Sequence, residues 1–283
     1  MKTNEKKQMK HLFYILTLMF CLSANAQEIT WKQHAIDGHR TGVTQKGAGQ
    51  TEAAMGKVKR LPKRYLAPNG SRYRRGTARK VAKIIIEAQD SMAFVKEIIA
   101  HSPRVMEKKR PESALSNWYI DALMQKTSEL TGKPVDVGFA NFGGVRIDMP
   151  EGDIFRDDIM SMFPFSNTLY YFTLSGESLL EICNNIVKRR AEIFGGVRLV
   201  VKDRELVSAT INGEPIDPKK TYSAATINYL MTGEGWFRFG KYEIEGQDTH
   251  VMVLDAIMQY VEELTRQGKD IEYSVDGRYK IED

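Results

Sequence analysis

The stretch Asn141-Phe142-Gly143-Gly144-Val145-Arg146, entered from the run Val135-Asp136-Val137-Gly138-Phe139-Ala140, decides how this chain is read. Residues 135–140 have the composition of a buried strand. The strand runs into a paired-glycine turn, where the backbone can approach a ligand closely and where an amide and an arginine are both at hand. A little further on, Pro164 fixes the backbone before Phe165 and presents an aromatic stacking surface.

Working outward, helical and strand patterns alternate. Residues 113–130 have a helical period with Trp118, Ile120, Ala122 and Leu123 inward, closed by Gly132. A short helix is expected at 157–162 and a longer amphipathic one at 177–191, with strands at 95–105, 168–174, 197–201, 206–211 and 222–227. A last helix is expected over 251–266, ended by Gly268, before the segment 271–275 and an Asp276-Gly277 turn. Such an order predicts an α/β chain of the α+β type, with layered mixed β-sheets and packed helices.

The N-terminal part has a different character. Lys6, Lys7 and Lys10 precede an apolar run at 12–22 and the small-residue site Ala24-Asn25-Ala26, the layout of a secretory signal peptide cleaved near Ala26. The apolar run is too short to span a bilayer. An exported, periplasmic or extracellular protein beginning near Gln27 is therefore expected. The first 26 residues carry four lysines and one glutamate, so without them the formal charge of +5 falls to +2. Only Cys183 would remain, which excludes an intrachain disulfide and leaves stability to core packing.

Residues 27–56 show no sustained apolar period and read as a lead-in that continues through a basic hairpin to residue 76. The hairpin turns at Pro68-Asn69-Gly70, and Thr77 opens a helix carrying Val81, Ile84, Ile85 and Ala88 on one face. Eleven Lys and Arg residues and no Asp or Glu lie between positions 57 and 86. A solvated basic face is the expected reading there, with polyanion attachment as the other; nucleic acid is not the expected ligand. Residues 77–283 are read as one large domain.

Phe-Gly-Gly-Val-Arg occurs twice, at 142–146 and 194–198, which supplies an internal control. The second copy leads directly into a strand, and its glycines read as a tight strand entry. The first ends a strand before an irregular stretch at 147–152, where α/β proteins place ligand sites. A third segment, Asn228-Tyr229-Leu230-Met231-Thr232-Gly233-Glu234-Gly235-Trp236, also leaves a strand with an aromatic, two glycines and a carboxylate. Each has a purely structural reading too: Phe165 as core, Asn141 as the cap of its own turn, Arg146 as a surface partner of Asp148 or Glu151.

Together these motifs resemble the C-terminal, substrate-binding domain of the 5′-nucleotidase family. The resemblance covers about residues 100–240 and rests on Pro111-Glu112-Ser113 with Asn117 and Asp121, on Asn141 to Arg146, on Pro164-Phe165 with Asn167, and on Gly233-Glu234-Gly235. It implies a nucleoside or nucleotide ligand whose base stacks between Phe165 and Tyr229. Asn141 would contact the base, Arg146 the phosphate or ribose side, and Glu234 would stand where the family has an aspartate on the ribose hydroxyls. A further family arginine falls at Lys109 or Arg110.

Family catalysis resides in a separate metallophosphoesterase domain built from clustered Asp, His and Asn ligands. Beyond the signal the histidines are His34, His39, His101 and His250, with no His-x-His and no Gly-Asn-His-Asp, and Asp37-Gly38-His39 in the lead-in reads as a solvated loop pair, so no metal cofactor is expected in this chain. No serine lies in a Gly-x-Ser-x-Gly elbow. No catalytic residue is assigned. The resemblance implies the substrate-recognition half of a split hydrolase, with divalent metals in a partner phosphoesterase; the alternative is a solitary nucleoside-binding scavenger or sensor.

Overall fold

A computed structural model describes residues 55–88 and 91–282. The signal segment and the lead-in up to residue 54, including His34 and His39, lie outside the described residues. Three short antiparallel strands, β1 (Lys57–Lys59), β2 (Arg64–Leu66) and β3 (Arg72–Tyr73), form a small sheet on which helix α1 (Thr77–Ala88) packs; β2 and β3 flank the expected Pro68-Asn69-Gly70 turn, but the first arm expected over 57–66 folds back on itself as β1 and β2.

Strand β4 (Ile98–Ser102) and helix α2 (Ala114–Thr131) follow, then β5 (Val137–Ala140), β6 (Gly152–Phe155), helix α3 (Arg156–Met162), β7 (Thr168–Ser175) and helix α4 (Gly176–Lys188). The chain continues through β8 (Ile193–Gly195), β9 (Val197–Lys202), β10 (Glu205–Ile211), β11 (Glu214–Pro215), β12 (Thr221–Ile227), the single turn α5 (Asn228–Met231), β13 (Glu245–Met252), helix α6 (Val253–Arg266) and β14 (Tyr279–Ile281). No helix among the described residues is long and apolar enough to cross a membrane.

The central sheet is mixed, in the order β13-β7-β12-β5-β8. Strand β5 runs parallel to β12, and the other pairs are antiparallel. Val137 to Ala140 are all buried, so β5 is covered on both faces, which accounts for its unbroken run of small and apolar side chains. Gly138 faces Ile120 and Met124 of α2, whose side chains occupy the space a Cβ would take. Phe139, on the opposite face by strand alternation, packs on Phe239 at a ring separation of 5.0 Å, and Phe239 stacks in turn on Phe172 at 5.9 Å. A second sheet, β11-β10-β9-β14, touches α4, and β4 pairs with β6.

Local sequence explains the helix limits. Ser113 caps α2 by accepting from the Ser116 amide while the Ser116 hydroxyl accepts from the Ser113 amide, and Gly132 closes it at φ 68°. Ser175 caps α4 by accepting from the Ser178 amide. Cys183 lies on the buried face of α4, where loss of hydration pushes its thiol up to about 12, so it is a packed neutral side chain at neutral pH.

Several expected elements require correction. The strand expected at 95–105 is shorter, because Ala93–Lys96 forms a 3-10 turn and Pro103 can donate no ladder hydrogen bond. The irregular stretch at 147–152 is followed by β6, hidden from the sequence by its polar start at Gly152-Asp153. The helix expected from 251 begins at Val253: Val251 and Met252 finish an edge strand bent at His250, which has a φ of 58°. Residues 271–275 form no strand; the final strand is β14, parallel to β9.

The motif residues Glu112, Asn117 and Asp121 prove to hold that C-terminal segment. Glu112 accepts from the Asn117 side chain and from the backbone amides of Asp276, Gly277 and Tyr279. Arg278, whose side chain is 7% exposed, donates both terminal nitrogens to Asp121 at 3.0 and 2.9 Å and reaches Asp276 as well.

Candidate functional site

Three neighbouring strands deliver the three sequence motifs to one edge of the central sheet. β5 and β12 run parallel and end there, at Ala140 and Ile227; β7 runs the other way and begins there, with Ile227 opposite Leu169. The turn at Asn141, the Phe165 segment and the Tyr229 segment are therefore adjacent in space although far apart in the chain. The Asn228 side chain accepts from the Thr168 amide at 3.2 Å and ties two of them together, and the Val253 amide donates to the Asn167 carbonyl at 2.8 Å.

Between them lies a cavity of about 340 Å³, lined by Asn141, Gly143, Gly144, Arg146, Phe165, Asn167 and Tyr229. Its volume falls at the lower end of the range for small-molecule sites, roughly 300–1,000 Å³. Phe165 and Tyr229 are 45% and 50% exposed, uncommon for large aromatics that merely pack. The Arg238 guanidinium covers the Tyr229 ring at 4.3 Å, and Arg146 stands 5.6 Å from the Phe165 ring centroid. Both rings are thus held by cations while still bounding the cavity.

The polar groups are poised rather than spent. Asn141 Oδ1 is buried with no hydrogen-bond partner, an acceptor in want of a donor. Arg146 makes no ion pair among the described residues; its guanidinium donates weakly to the Gly143 carbonyl at 3.3 Å. Behind the turn, Lys108 donates to the Val145 carbonyl at 2.6 Å. Burial lowers the Lys108 ammonium, Asp148 pulls it back up, and the charges of Arg146 and Arg110 push it down again, leaving it below the usual lysine range. Like charges gathered beside one turn make that side of the cavity attractive to anions.

The structure does not bring Arg110 or Glu234 to this cavity. Arg110 sits behind the turn, its guanidinium 4.2 Å over the Phe142 ring and bonded to Glu192 at 2.7 Å. Glu192 in turn accepts from the Phe142 amide at 2.7 Å, so this pair buttresses the turn from below. Glu234 is exposed between Gly233 and Gly235, which have φ values of 82° and 126°, and does not line the cavity. Asn167, named only as part of a motif, is a lining residue; Arg238 and Lys108 gave no sequence signal beyond their charge.

The duplicated pentapeptide is resolved sterically. In the second copy a Cβ at Gly196 would run into the Asp136 carbonyl, and the residue has φ 75°, so glycine is required by the packing. In the first copy neither Gly143 nor Gly144 has a positive φ, and a Cβ would meet only the Asn141 amide at 3.2 and 3.1 Å. Those glycines leave room above the turn. Gly196→Ala is accordingly expected to cost about 1–3 kcal/mol in urea unfolding, whereas Gly143→Ala is expected to leave the midpoint near that of the parent.

Residues 91–241 match the family described as 5′-nucleotidase, C-terminal domain, over more than half of the chain. The chain belongs to this family. Among its relatives, an apyrase from Tabanus yao is 29% identical over 235 residues, covering 71% of this chain and 42% of the relative. The protein UshA of Escherichia coli K12 is 31% identical over 103 residues, covering 35% of this chain and 19% of the relative. The fold matches the crystal structure of a 5′-nucleotidase precursor from Thermus thermophilus at a TM-score of 0.62 and 24% identity, over 77% of this chain and 45% of that one. The chain thus spans less than half the length of these relatives. As a 5′-nucleotidase C-terminal domain, it has the mixed α/β fold expected from its sequence. Among the described residues no group of three or more His, Cys, Asp or Glu side chains is placed to hold a metal ion.

Proposed function

We propose that this 5′-nucleotidase C-terminal domain binds nucleotides, as an exported substrate-holding half of a hydrolase whose metal-bearing half is a separate chain. The observation that carries the reading is the cavity bounded by Phe165 and Tyr229 with Arg146 on its wall. A base enters between the rings, where stacking tolerates different bases. The unpartnered Asn141 Oδ1 accepts from a ligand N–H or O–H group, and Arg146 meets the phosphate as a charge-assisted donor. Relatives described as an apyrase and, in Haemophilus influenzae, as an NAD 5′-nucleotidase support a nucleotide ligand.

Arg146→Ala is expected to weaken AMP binding roughly tenfold or more while changing adenosine binding little, because a charged hydrogen bond contributes about 1.5–3 kcal/mol. Equilibrium dialysis with both ligands checks it; equal losses for the two would remove the phosphate role. The two-chain reading is tested by mixing the protein with metal-dependent phosphoesterases recovered from the same cells. A gain in AMP hydrolysis over the phosphoesterase alone is expected. No gain, together with metal-free adenosine binding, would favour the solitary binding protein. Export is checked by N-terminal sequencing of the protein released from cells, which is expected to begin at Gln27.

A further inference from the structure

Helix α1 and the turn between β1 and β2 enclose a cavity of about 520 Å³. Arg79, Lys83 and Glu87 line it from the helix, at four-residue spacings that put them on one face, and Lys59, Arg60 and Lys63 line it from the turn. Five cations are thus set against one carboxylate, and Glu87 already lies 3.7 Å from Lys83. Lys59, Arg60, Lys63 and Arg79 make no ion pair among the described residues. Arg79 Nε is buried with no hydrogen-bond partner, a guanidinium donor in want of an acceptor. Charges of one sign around a concavity repel one another and focus their field on an entering anion.

The lining selects among anions. Bases stack on rings, and no aromatic side chain lines this cavity; the nearby rings of Tyr65 and Tyr73 stack on each other at 5.8 Å. A nucleic-acid strand would gain nothing here beyond its phosphates. A single phosphate, with about two negative charges, leaves most of the five cations unbalanced. A linear chain of phosphates spreads its charge along the helix and the turn together and offers each guanidinium paired oxygens. We propose that the cavity between α1 and the β1–β2 turn binds a linear chain of phosphates, as in inorganic oligophosphate. Arg60 and Lys63 hold it from the turn and Arg79 from the helix. This cavity shares no lining residue with the one bounded by Phe165 and Tyr229, and the proposal does not depend on the nucleotide reading.

The test is calorimetric titration of the full chain with sodium tripolyphosphate at low and high salt. Saturable one-to-one binding that weakens with salt is expected. Arg60→Gln with Lys63→Gln, both exposed positions, is expected to weaken it at least about tenfold without shifting the thermal melt. Arg72→Gln with Arg74→Gln removes the same charge from the same segment at exposed positions outside the cavity, and is expected to change the affinity less than about twofold. Arg146→Ala is expected to leave tripolyphosphate binding unchanged. Orthophosphate at equal concentration is expected not to displace the chain, and ATP to compete no more strongly than tripolyphosphate itself. Absence of saturable binding, equal losses in the two double variants, loss in Arg146→Ala, displacement by orthophosphate, or stronger competition by ATP would each overturn the proposal.

Discussion

Arg278→Ala is expected to lower the unfolding free energy by about 2–3 kcal/mol, because the guanidinium is 7% exposed while the two carboxylates it joins remain within reach of water. The guanidinium holds Asp121 through two hydrogen bonds and Asp276 through two more, and it reaches the Phe194 carbonyl at 3.4 Å. Its removal leaves the Asp121 and Asp276 carboxylates, 31% and 39% exposed, without their shared cation. Burial pushes the Asp276 carboxyl up, yet the hydrogen bonds and charge of Arg278 outweigh this and hold it below its ordinary value. The loss extends beyond the pair, because Asp121 also accepts from the Tyr273 hydroxyl at 2.6 Å and the same segment feeds β14 onto β9. Urea unfolding followed by circular dichroism measures the effect. Arg278→Lys keeps the charge without the planar fork and should fall between parent and alanine variant. A loss below about 1 kcal/mol for the alanine variant would show that the cluster does not anchor the C-terminal segment.

Phe165→Ala and Tyr229→Ala are each expected to weaken nucleoside binding by about 1–3 kcal/mol, roughly 5- to 150-fold, with little change in stability. Both rings are about half exposed, so truncation opens no core cavity. Tyr229→Phe should retain most of the affinity, since stacking uses the ring face. For Tyr229 a second effect follows from Arg238: without the ring beneath it, the guanidinium is free to enter the cavity. The alanine variant at 229 should therefore lose more affinity for adenosine than for AMP, because a relocated cation attracts the phosphate. Equilibrium dialysis with the two ligands separates the losses, and equal losses would leave Arg238 as a passive neighbour.

Much of the site was legible because each motif follows or precedes a strand with a clear apolar signature. Asn141, Arg146, Phe165 and Tyr229 all line one cavity. Their convergence was implied by the family resemblance but not by composition or period, since it depends on the parallel pairing of β5 with β12, at Val137 opposite Ala224, across a long separation in sequence. Arg110 and Glu234 illustrate two further limits. An arginine's reach is set by which carboxylate lies nearby, and Glu192 comes from a distant segment. The aim of a glycine-flanked loop is set by φ values that residue identity permits but does not specify. The mixed α/β class followed from the alternation of periods. The start of α6 did not, because Val251 and Met252 suit either an edge strand or a helix. For α1 the period marked an apolar face without saying whether the protein covers it.

Whether a nucleotide is held through its base, between Phe165 and Tyr229, is tested most directly by calorimetric titration of the full chain with AMP and with ribose 5-phosphate. Saturable one-to-one binding of AMP, at least about tenfold tighter than ribose 5-phosphate and lost when both aromatics are alanine, is the predicted result. Equal affinity for the two ligands, or AMP binding unchanged in the double variant, would contradict it.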